Sequence, residues 1–345
     1  MKKVLITGGA GFIGSNFTHY YLEKHPEDQV MVFDRLTYAG NLENLSDLEN
    51  NERYWFFQGD IADVKLVNEL FERERFDTVV NFAAETHVDK SIESPSIFVM
   101  TNIVGTQTLL EASRKYGVSR YHQISTDEVY GDLGINSTNQ FTESTSLSPN
   151  CPYAASKAAA DLLVQSYFET YKLPVTISRC SNNYGPYQFP EKLIPYFFKL
   201  IASGEKVPIY GDGKNVRDWL YVIDHCRAID TILEKGKLGE VYNIGGNNEK
   251  TNLEITKILL KFLGKNEDLI TFVNDRLAHD RRYAIDASKI ERELGWKPSV
   301  TFEEGIAKTF DWYQNHKDWW EALNQKIEER KHHEVSNKPL PSSRP

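Results

Sequence analysis

Short apolar runs, each ending in a small or polar residue, recur along the first half of the chain. Segments with helical periodicity separate them, notably 97–116 and 154–171. Such alternation is typical of repeated βαβ units, which build a parallel sheet with helices on both faces. The pattern therefore predicts an α/β fold with a doubly wound parallel sheet. The predicted strands are Lys3–Thr7, Val30–Phe33, Tyr54–Gln58, Thr78–Phe82, Tyr121–Ser125 and Val175–Arg179.

The regular alternation stops after Cys180, where proline and glycine separate shorter segments. At 345 residues the chain exceeds one compact core, so two lobes are expected. A strand at Trp219–Ile223, a helix at Asp224–Lys235 and a strand at Val241–Ile244 read as returns to the first lobe. We therefore predict a first lobe of residues 1–181 and about 217–244, and a smaller α/β substrate-binding lobe of residues 182–216 and 245–325. Residues 326–345 are charged and then rich in proline and serine, so we predict a disordered tail there.

A glycine-rich segment follows the first predicted strand and opens a helix that runs to about His25. Gly9, Gly11 and Gly14 fit the spacing G-x-G-x-x-G, and Gly8, Gly11 and Gly14 fit a wider three-residue spacing. Glycines at such positions allow a tight turn and a close approach of the backbone to a pyrophosphate at the helix N-terminus. This segment predicts a Rossmann-type dinucleotide site.

An acid ends the second predicted strand. Asp34 lies about 20 residues beyond the glycines, where a carboxylate hydrogen-bonds the adenosine ribose hydroxyls. A carboxylate there repels a 2′-phosphate, so NAD is favoured over NADP, and the neighbouring Arg35 weakens this preference only partly.

Tyr153 and Lys157 lie four residues apart in a predicted helix, which puts both side chains on one face. An ammonium beside a phenol stabilises the phenolate and lowers the tyrosine pKa, so the pair suits proton abstraction next to a hydride acceptor. A solvated helix face is the alternative explanation of the pair.

Two adjacent acids, Asp127 and Glu128, follow Thr126 at the end of another predicted strand. Like charges held together raise the pKa of one carboxyl, which can then serve as an acid while its neighbour serves as a base. A pair of solvated surface acids is the alternative, but their place at the carboxyl end of a strand favours a site.

Ligands bind outside the carboxyl ends of strands in an open parallel sheet. This rule places Asp60 near adenine and residues 81–86 along the nicotinamide half. An ordinary helix N-cap at Asp60 and close packing at Ala83 and Ala84 are the alternatives.

Composition narrows the class of protein. The net charge of −9 argues against general nucleic-acid binding, which needs clustered lysine and arginine. Three cysteines without metal-ligand spacing indicate reduced thiols and no metal site, and there is no signal peptide or apolar run long enough to span a bilayer. We expect a cytoplasmic enzyme without a membrane or nucleic-acid partner.

The motifs together resemble the extended short-chain dehydrogenase/reductases and, within them, the dTDP-glucose 4,6-dehydratases, from Lys2 to about Tyr313. The Thr-Asp-Glu run is the specific part, since the glycine loop and the Tyr/Lys pair mark only the superfamily. The matching segments are Thr7–Gly14, Asp34–Asn41, Ala83–Asp89, Ile124–Gly131, Tyr153–Lys157, Ser181–Pro186, Arg217–Val222 and His279–Asp286.

The resemblance implies an NAD-dependent conversion of dTDP-glucose to a 4-keto-6-deoxy sugar by a homodimer. Tyr153 would take the C4 hydroxyl proton, with Lys157 and Thr126 assisting, while Asp127 would act as the acid and Glu128 as the base. The implied cofactor-binding residues are Gly8, Gly11, Phe12, Ile13, Gly14, Asp34, Arg35, Leu36, Thr37, Asp60, Ile61, Phe82, Ala83, Ala84, Thr86, Thr101, Tyr153, Lys157 and Asn183. The implied substrate-binding residues are Thr86, His87, Thr126, Asn182, Lys192, Leu193, Pro208, Ile209, Tyr210, Arg217, Asn252, Asp275, Arg276 and His279.

Three alternatives stay open at this point. A UDP-glucose dehydratase differs only in its base preference, which the sequence does not decide between thymine and uracil. A nucleotide-sugar 4-epimerase shares the cofactor and the Tyr/Lys pair but has no use for Asp127 and Glu128. A non-catalytic NAD-binding module would not need the proton acceptor Tyr153.

Long helices such as 97–116 and 154–171 would pair between the subunits of a dimer.

Overall fold

The structure is a computed structural model that describes residues 1–275 and 279–323. A seven-stranded parallel sheet forms its centre. Its strands are β1 (Lys3–Thr7), β2 (Gln29–Asp34), β3 (Tyr54–Gln58), β4 (Thr78–Asn81), β5 (Arg120–Thr126), β6 (Val175–Cys180) and β10 (Val241–Ile244). Their order across the sheet is β10-β6-β5-β4-β1-β2-β3, which confirms the predicted doubly wound α/β fold.

The continuous apolar character of the strands follows from burial on both faces. In β1, Leu5 packs into a cluster with Leu70, while its neighbours Val4 and Ile6 pack into the cluster on the opposite face. Helices therefore cover both sides of the sheet. The described helices are α1 (Phe12–Lys24), α2 (Val64–Glu74), α3 (Val88–Glu93), α4 (Pro95–Phe98), α5 (Thr106–Tyr116), α6 (Pro152–Tyr171), α7 (Leu193–Ala202), α8 (Val222–Lys235), α9 (Asn252–Phe262), α10 (Ser288–Leu294) and α11 (Phe302–Asn315).

Helices α1 and α8 lie on one face of the sheet, and α2, α5 and α6 lie on the other. The predicted helix over 97–116 is helical along its length, but its start is not regular α-helix. A π-helical segment, Val99–Gly105, joins α4 to α5. π-Helical turns occur often at functional sites, and this one carries Thr101.

Two small sheets lie outside the large one, and we call the region that they form with α7, α9 and α11 the second lobe. Strands β7 (Asn182–Tyr184), β9 (Val216–Tyr221) and β11 (Glu249–Thr251) form one, and β8 (Val207–Tyr210) and β12 (Ile270–Val273) form the other. Helices α7, α9 and α11 share a core with them that includes Ile194, Ile255 and Phe310.

The return to the first lobe differs in one part from the prediction. Of the strand predicted at Trp219–Ile223, residues 219–221 lie in β9, which pairs with β7 and β11 and not with the large sheet, and residues 222–223 begin α8. Helix α8 does pack on α1, and β10 does pair with β6. The lobe boundaries stay predictions, and the expected tail at 326–345 lies outside the described residues. None of the helices within 1–275 and 279–323 combines the length and apolar character needed to cross a bilayer.

A buried ion pair ties α6 to the sheet. The Arg179 Nε of β6 lies 2.8 Å from Oδ2 of Asp161 in α6, with side-chain exposures of 3% and 0%. The Arg179 guanidinium also donates to the Tyr130 hydroxyl, which in turn donates to Asn243 of β10. This network connects the helix that carries Tyr153 and Lys157 to two strands of the sheet.

We predict that Asp161→Asn lowers the free energy of unfolding by about 3–5 kcal/mol, because it leaves the Arg179 charge buried without a counter-charge. Glu169→Gln provides a matched control on the same helix, since Glu169 and its partner Lys172 are exposed. The control should change stability by less than about 0.5 kcal/mol. Denaturant unfolding of both variants measures the difference, and equal losses would contradict the role given to the buried pair.

Candidate active site

A cleft of about 320 Å³ opens at the carboxyl ends of the strands of the large sheet. All five predicted catalytic residues, Thr126, Asp127, Glu128, Tyr153 and Lys157, line it. Every predicted cofactor-binding residue except Leu36 lines it as well. The parallel register therefore brings together residues that lie far apart in the sequence.

Two glycines let the backbone come close at the start of this cleft. Gly8 has φ +68°, and a Cβ there would lie 2.6 Å from the Ala83 nitrogen. A Cβ at Gly14 would lie 2.4 Å from the Gly8 carbonyl oxygen. Gly9 instead faces the Val32 side chain in the core, so the spacing that lines the cleft is the wider one of Gly8, Gly11 and Gly14.

Backbone amides hold the Asp34 carboxylate at the end of β2. Ala10 N donates to Oδ2 at 3.0 Å, and Leu36 N donates to Oδ1 at 2.8 Å. Burial raises the Asp34 pKa, and these two amide bonds oppose the rise. Leu36 has φ +58° and lies outside the cleft lining, so its contact with the cofactor stays a prediction.

Asp60 lies in the cleft and pairs with Arg35, whose Nη1 is 3.1 Å from Oδ2. The alternative explanation of Asp60 as a helix N-cap is wrong, because Asp63 caps α2 by accepting from Leu66 N. Because Asp60 pairs with the Arg35 guanidinium, Arg35 attracts a 2′-phosphate less strongly than its position in the sequence indicates.

Thr126 is the centre of a compact polar group. Its Oγ1 accepts from Glu128 N at 3.3 Å, which starts a short 3₁₀-helix, Asp127–Tyr130. The hydroxyl also lies 3.4 Å from Asp127 Oδ1 and hydrogen-bonds the Tyr153 phenol. One side chain at the end of β5 therefore contacts both the tyrosine and the acid pair.

Asp127 is only 2% exposed, and no group in the described residues hydrogen-bonds its Oδ2. Burial raises the pKa of Asp127 well above its ordinary value, and the charge of Glu128 raises it further. Glu128 is half-buried. Burial therefore distinguishes the two carboxyls, because it disfavours the charged form of Asp127 more than that of the half-buried Glu128.

Tyr153 and Lys157 both face the cleft from α6, but the expected lowering of the Tyr153 pKa does not come from the protein groups. Burial and the Glu128 charge raise that pKa well above its ordinary value, and the hydrogen bond with Thr126 lowers it. Lys157 Nζ donates to the Ile124 carbonyl at 2.6 Å. Burial lowers the Lys157 pKa in turn.

The predicted substrate-binding residues fall into two groups. Thr86, Thr126, Asn182 and Lys192 line the cleft. The others lie outside its lining: His87 caps α3 and has its Nε2 3.6 Å from Glu191, and Leu193 begins α7. The remaining ones gather on the second lobe, namely Pro208, Ile209, Tyr210, Arg217, Asn252, Asp275 and His279, and Arg276 lies outside the described residues.

Arg217 connects the second lobe to the acid pair. Its charge lowers the pKa of Asp127. The guanidinium stacks over the Tyr283 ring at 4.3 Å and donates to the carbonyls of Val216 and Asp280. The other members of the group meet nearby: His279 Nδ1 is 2.5 Å from Asp275 Oδ1, and its ring meets Tyr210 edge-on.

Several cleft residues were not predicted. Among them are Tyr38, Gln188, Phe189 and Glu191. Tyr38 meets Phe189 edge-on at 5.7 Å, and Lys90 Nζ lies 4.2 Å from the Tyr38 ring. Tyr38 lies inside Asp34–Asn41, a segment that carries the family resemblance, so its position in that motif could have indicated its place in the cleft.

Comparison with known proteins places the chain in a family. The family model described as GDP-mannose 4,6 dehydratase matches residues 5–309. A dTDP-glucose 4,6-dehydratase of Xanthomonas campestris pv. campestris (strain B100) is 51% identical over 341 residues, with 94% of this chain and 96% of the relative covered. The crystal structure of dTDP-glucose 4,6-dehydratase from Bacillus anthracis str. Ames in complex with NAD is 50% identical, with a TM-score of 0.87 and coverage of 94% of this chain and 100% of that one.

The fold is shared more widely. A UDP-glucose 4-epimerase of Thermotoga maritima, solved with UDP-glucose, has a TM-score of 0.85 at 32% identity, with 91% of this chain and 99% of that chain covered. Identity near one half over almost the whole chain, together with the family match, distinguishes the dehydratases from this broader group. The chain belongs to the nucleotide-sugar 4,6-dehydratases of the extended short-chain dehydrogenase/reductase family.

Proposed function

We propose that this protein is an NAD-dependent dTDP-glucose 4,6-dehydratase, which converts dTDP-glucose to dTDP-4-keto-6-deoxyglucose and water. The relatives of about 50% identity carry this activity in their names. The observation that carries the proposal is Asp127, a buried carboxyl with a strongly raised pKa beside Glu128 in a cleft that also holds Tyr153. A proton donor next to a carboxylate is what the loss of water from C5 and C6 requires.

The reaction needs a temporary oxidation. The C5 proton of glucose is not acidic until C4 becomes a ketone. Bound NAD supplies a nicotinamide ring that accepts the C4 hydride and later returns it to C6, and its positive charge favours the phenolate of a neighbouring tyrosine. The net change in the sugar is the loss of one water, so no hydride donor is consumed.

The glycine cradle fits this cofactor. Side chains at Gly8 or Gly14 would collide with backbone atoms, so the main chain there stays bare for a pyrophosphate at the N-terminus of α1. The buried Asp34 carboxylate at the end of β2 suits ribose hydroxyls and repels a 2′-phosphate. We assign NAD to this half of the cleft and the sugar to the half with Thr126.

The roles at C4 follow from the contacts of Tyr153. The phenol removes the C4 hydroxyl proton, and Thr126, which hydrogen-bonds the phenol, holds the C4 oxygen. Lys157 donates to the Ile124 carbonyl, and the other N–H groups of its ammonium would hold the cofactor ribose.

The elimination divides between the two acids. Glu128 removes the C5 proton, and Asp127 gives its proton to the departing C6 hydroxyl, which leaves as water. The unpaired Oδ2 of Asp127 supports this role, because it is buried and has no hydrogen-bond partner among the residues described. Glu128 later returns a proton to C5 as hydride arrives at C6.

The second lobe supplies the nucleotide contacts. Arg217 lies near the acid pair and suits a diphosphate, since a guanidinium forks onto phosphate oxygens. The group formed by Tyr210, Asp275 and His279 lies further out, where a base would bind. Contacts of Asn182, Lys192 and Asn252 with the sugar nucleotide belong to the same proposal.

We also propose that the protein is a cytoplasmic homodimer. Ile97, Val99, Met100 and Leu162 expose apolar side chains on the helices that the sequence indicates as an interface. The three cysteines are free and buried, which suits a reducing compartment.

The first test is mass spectrometry of products after separate incubation with dTDP-glucose, UDP-glucose, CDP-glucose and GDP-mannose, with NAD and without a hydride donor. We expect the loss of one water from dTDP-glucose, and faster than from any other substrate. An unchanged mass with a new chromatographic isomer would identify an epimerase. No change in any substrate would refute the proposal.

Variants of the acid pair should fail at different steps. We expect Asp127→Asn and Glu128→Gln each to lower the rate of water loss by about 10²–10⁴-fold, the usual size of a general acid–base contribution. In D₂O, Glu128→Gln should also lose deuterium uptake at C5, whereas Asp127→Asn should still form reduced cofactor on the enzyme. Glu169→Gln on the exposed face of α6 is the control and should keep full activity. Equal C5 exchange in both acid variants would contradict the division of roles.

The raised pKa of Asp127 also predicts a pH effect on stability. The folded state favours the protonated form, so the wild type loses stability as pH rises from the ordinary carboxyl range of about 4 through the raised pKa. Asp127→Asn is neutral at every pH and escapes this loss. Denaturant unfolding should therefore show the variant gaining stability relative to the wild type between pH 4 and pH 8, and a constant difference would contradict the assignment.

A further inference from the structure

The segment that follows α11 reaches back to the first lobe through one side chain. Trp319 Nε1 donates to Asn44 Oδ1 at 2.8 Å. Asn44 lies in the 3₁₀-helix Leu42–Leu48 after β2 and is only 2% exposed. The indole is thus the donor for a buried amide oxygen.

Asn44 also hydrogen-bonds the glycine loop. Its Nδ2 donates to the Ala10 carbonyl at 2.9 Å, and Asn41 N donates to the same carbonyl at 3.0 Å. Ala10 lies between the cleft glycines, and its own N–H is held by Asp34. Trp319 is therefore two hydrogen bonds away from the backbone that cradles the pyrophosphate.

The same tryptophan also packs on Tyr187, which precedes a segment of the cleft lining. Tyr187, which has φ +63°, meets the Trp319 ring edge-on at 6.2 Å and stacks on His19 of α1 at 5.7 Å. The next two residues, Gln188 and Phe189, line the cleft. The Trp319 ring also contacts the Trp312 ring edge-on, with 4.9 Å between the ring centres.

We propose that Trp319 is a positioning residue for the cofactor, which acts through Asn44 on the glycine loop and through Tyr187 on the cleft-lining residues that follow it. The inference rests on the proposed function, in which this cleft binds NAD. A backbone that already has its bound geometry loses less entropy when the ligand binds, so these contacts should raise the affinity for NAD. The chemistry of the bound complex is left to Thr126, Asp127, Glu128 and Tyr153.

Removal of the indole N–H has a local consequence. In Trp319→Phe the ring contacts with Tyr187 are kept, but the buried Asn44 Oδ1 loses its donor. An amide that turns to find a new donor releases the Ala10 carbonyl. A hydrogen bond of this kind is worth about a 2–10-fold change in an equilibrium constant.

The test is isothermal titration of NAD into full-length protein freed of nucleotide, for the wild type, Trp319→Phe and Trp320→Phe. Trp320 is the matched control, because its ring packs on Phe198 and Tyr313 in the second-lobe core. We expect the Kd for NAD to rise about 2–10-fold in Trp319→Phe and to stay unchanged in Trp320→Phe. Amide hydrogen exchange without NAD should become faster at residues 8–16 in Trp319→Phe alone.

Two further readouts separate the possible outcomes. The kcat of Trp319→Phe at saturating NAD should stay within about twofold of the wild type, and adding Asn44→Ala should weaken NAD binding no further, since both changes break one path. An unchanged Kd and unchanged exchange in Trp319→Phe would overturn the inference. A wild-type protein that does not bind NAD would instead overturn the proposed function.

Discussion

The hydrogen-bonded register of β5 between β4 and β6 determines where the reactive groups lie. Thr126 pairs with Cys180 at the end of the sheet, and Asn81 pairs with Gln123 three positions earlier. Polar side chains inside the sheet fix this register: Thr7 donates to Asn81, and Asn81 donates to Gln123. A slip by one residue would bury unpaired amides, so the network penalises any other alignment. Thr126 and the glycine loop can therefore be placed with respect to each other by the sheet alone.

The register also explains why adjacent acids differ. Asp127 follows the last paired residue of β5 and stays among buried groups, whereas Glu128 lies one position further into the 3₁₀-helix and is half-buried. Low polarity around Asp127 disfavours its charged form, and a second charge nearby disfavours it further. One step along the backbone therefore separates a fully buried carboxyl from a half-buried one. The second lobe adds Arg217, whose charge moderates the shift without cancelling it.

The sequence contained the strands of the large sheet and most of the cleft, because both depend on local patterns. Continuous apolar runs such as Lys3–Thr7 identify strands buried on both faces, and their carboxyl ends identify the cleft. The pairing of β9 with β7 and β11 could not be predicted in this way, because the apolar pattern of a strand does not indicate which sheet the strand joins. The choice between Gly9 and Gly8 depended on Val32, a contact from another strand. The direction of the Tyr153 pKa shift depended on burial, which a four-residue spacing to Lys157 does not report.

The place of β10 has a consequence for how the chain folds. The strand pairs with β6 at the edge of the large sheet, yet β7, β8 and β9 lie between the two in sequence. Helix α8, which packs on α1, also comes late in the chain. During synthesis the large sheet is incomplete until Val241–Ile244 has been made. Until then the outer edge of β6 is unpaired and can pair with strands of other chains. Intermediate stages of synthesis are thus the period when this chain is most exposed to aggregation.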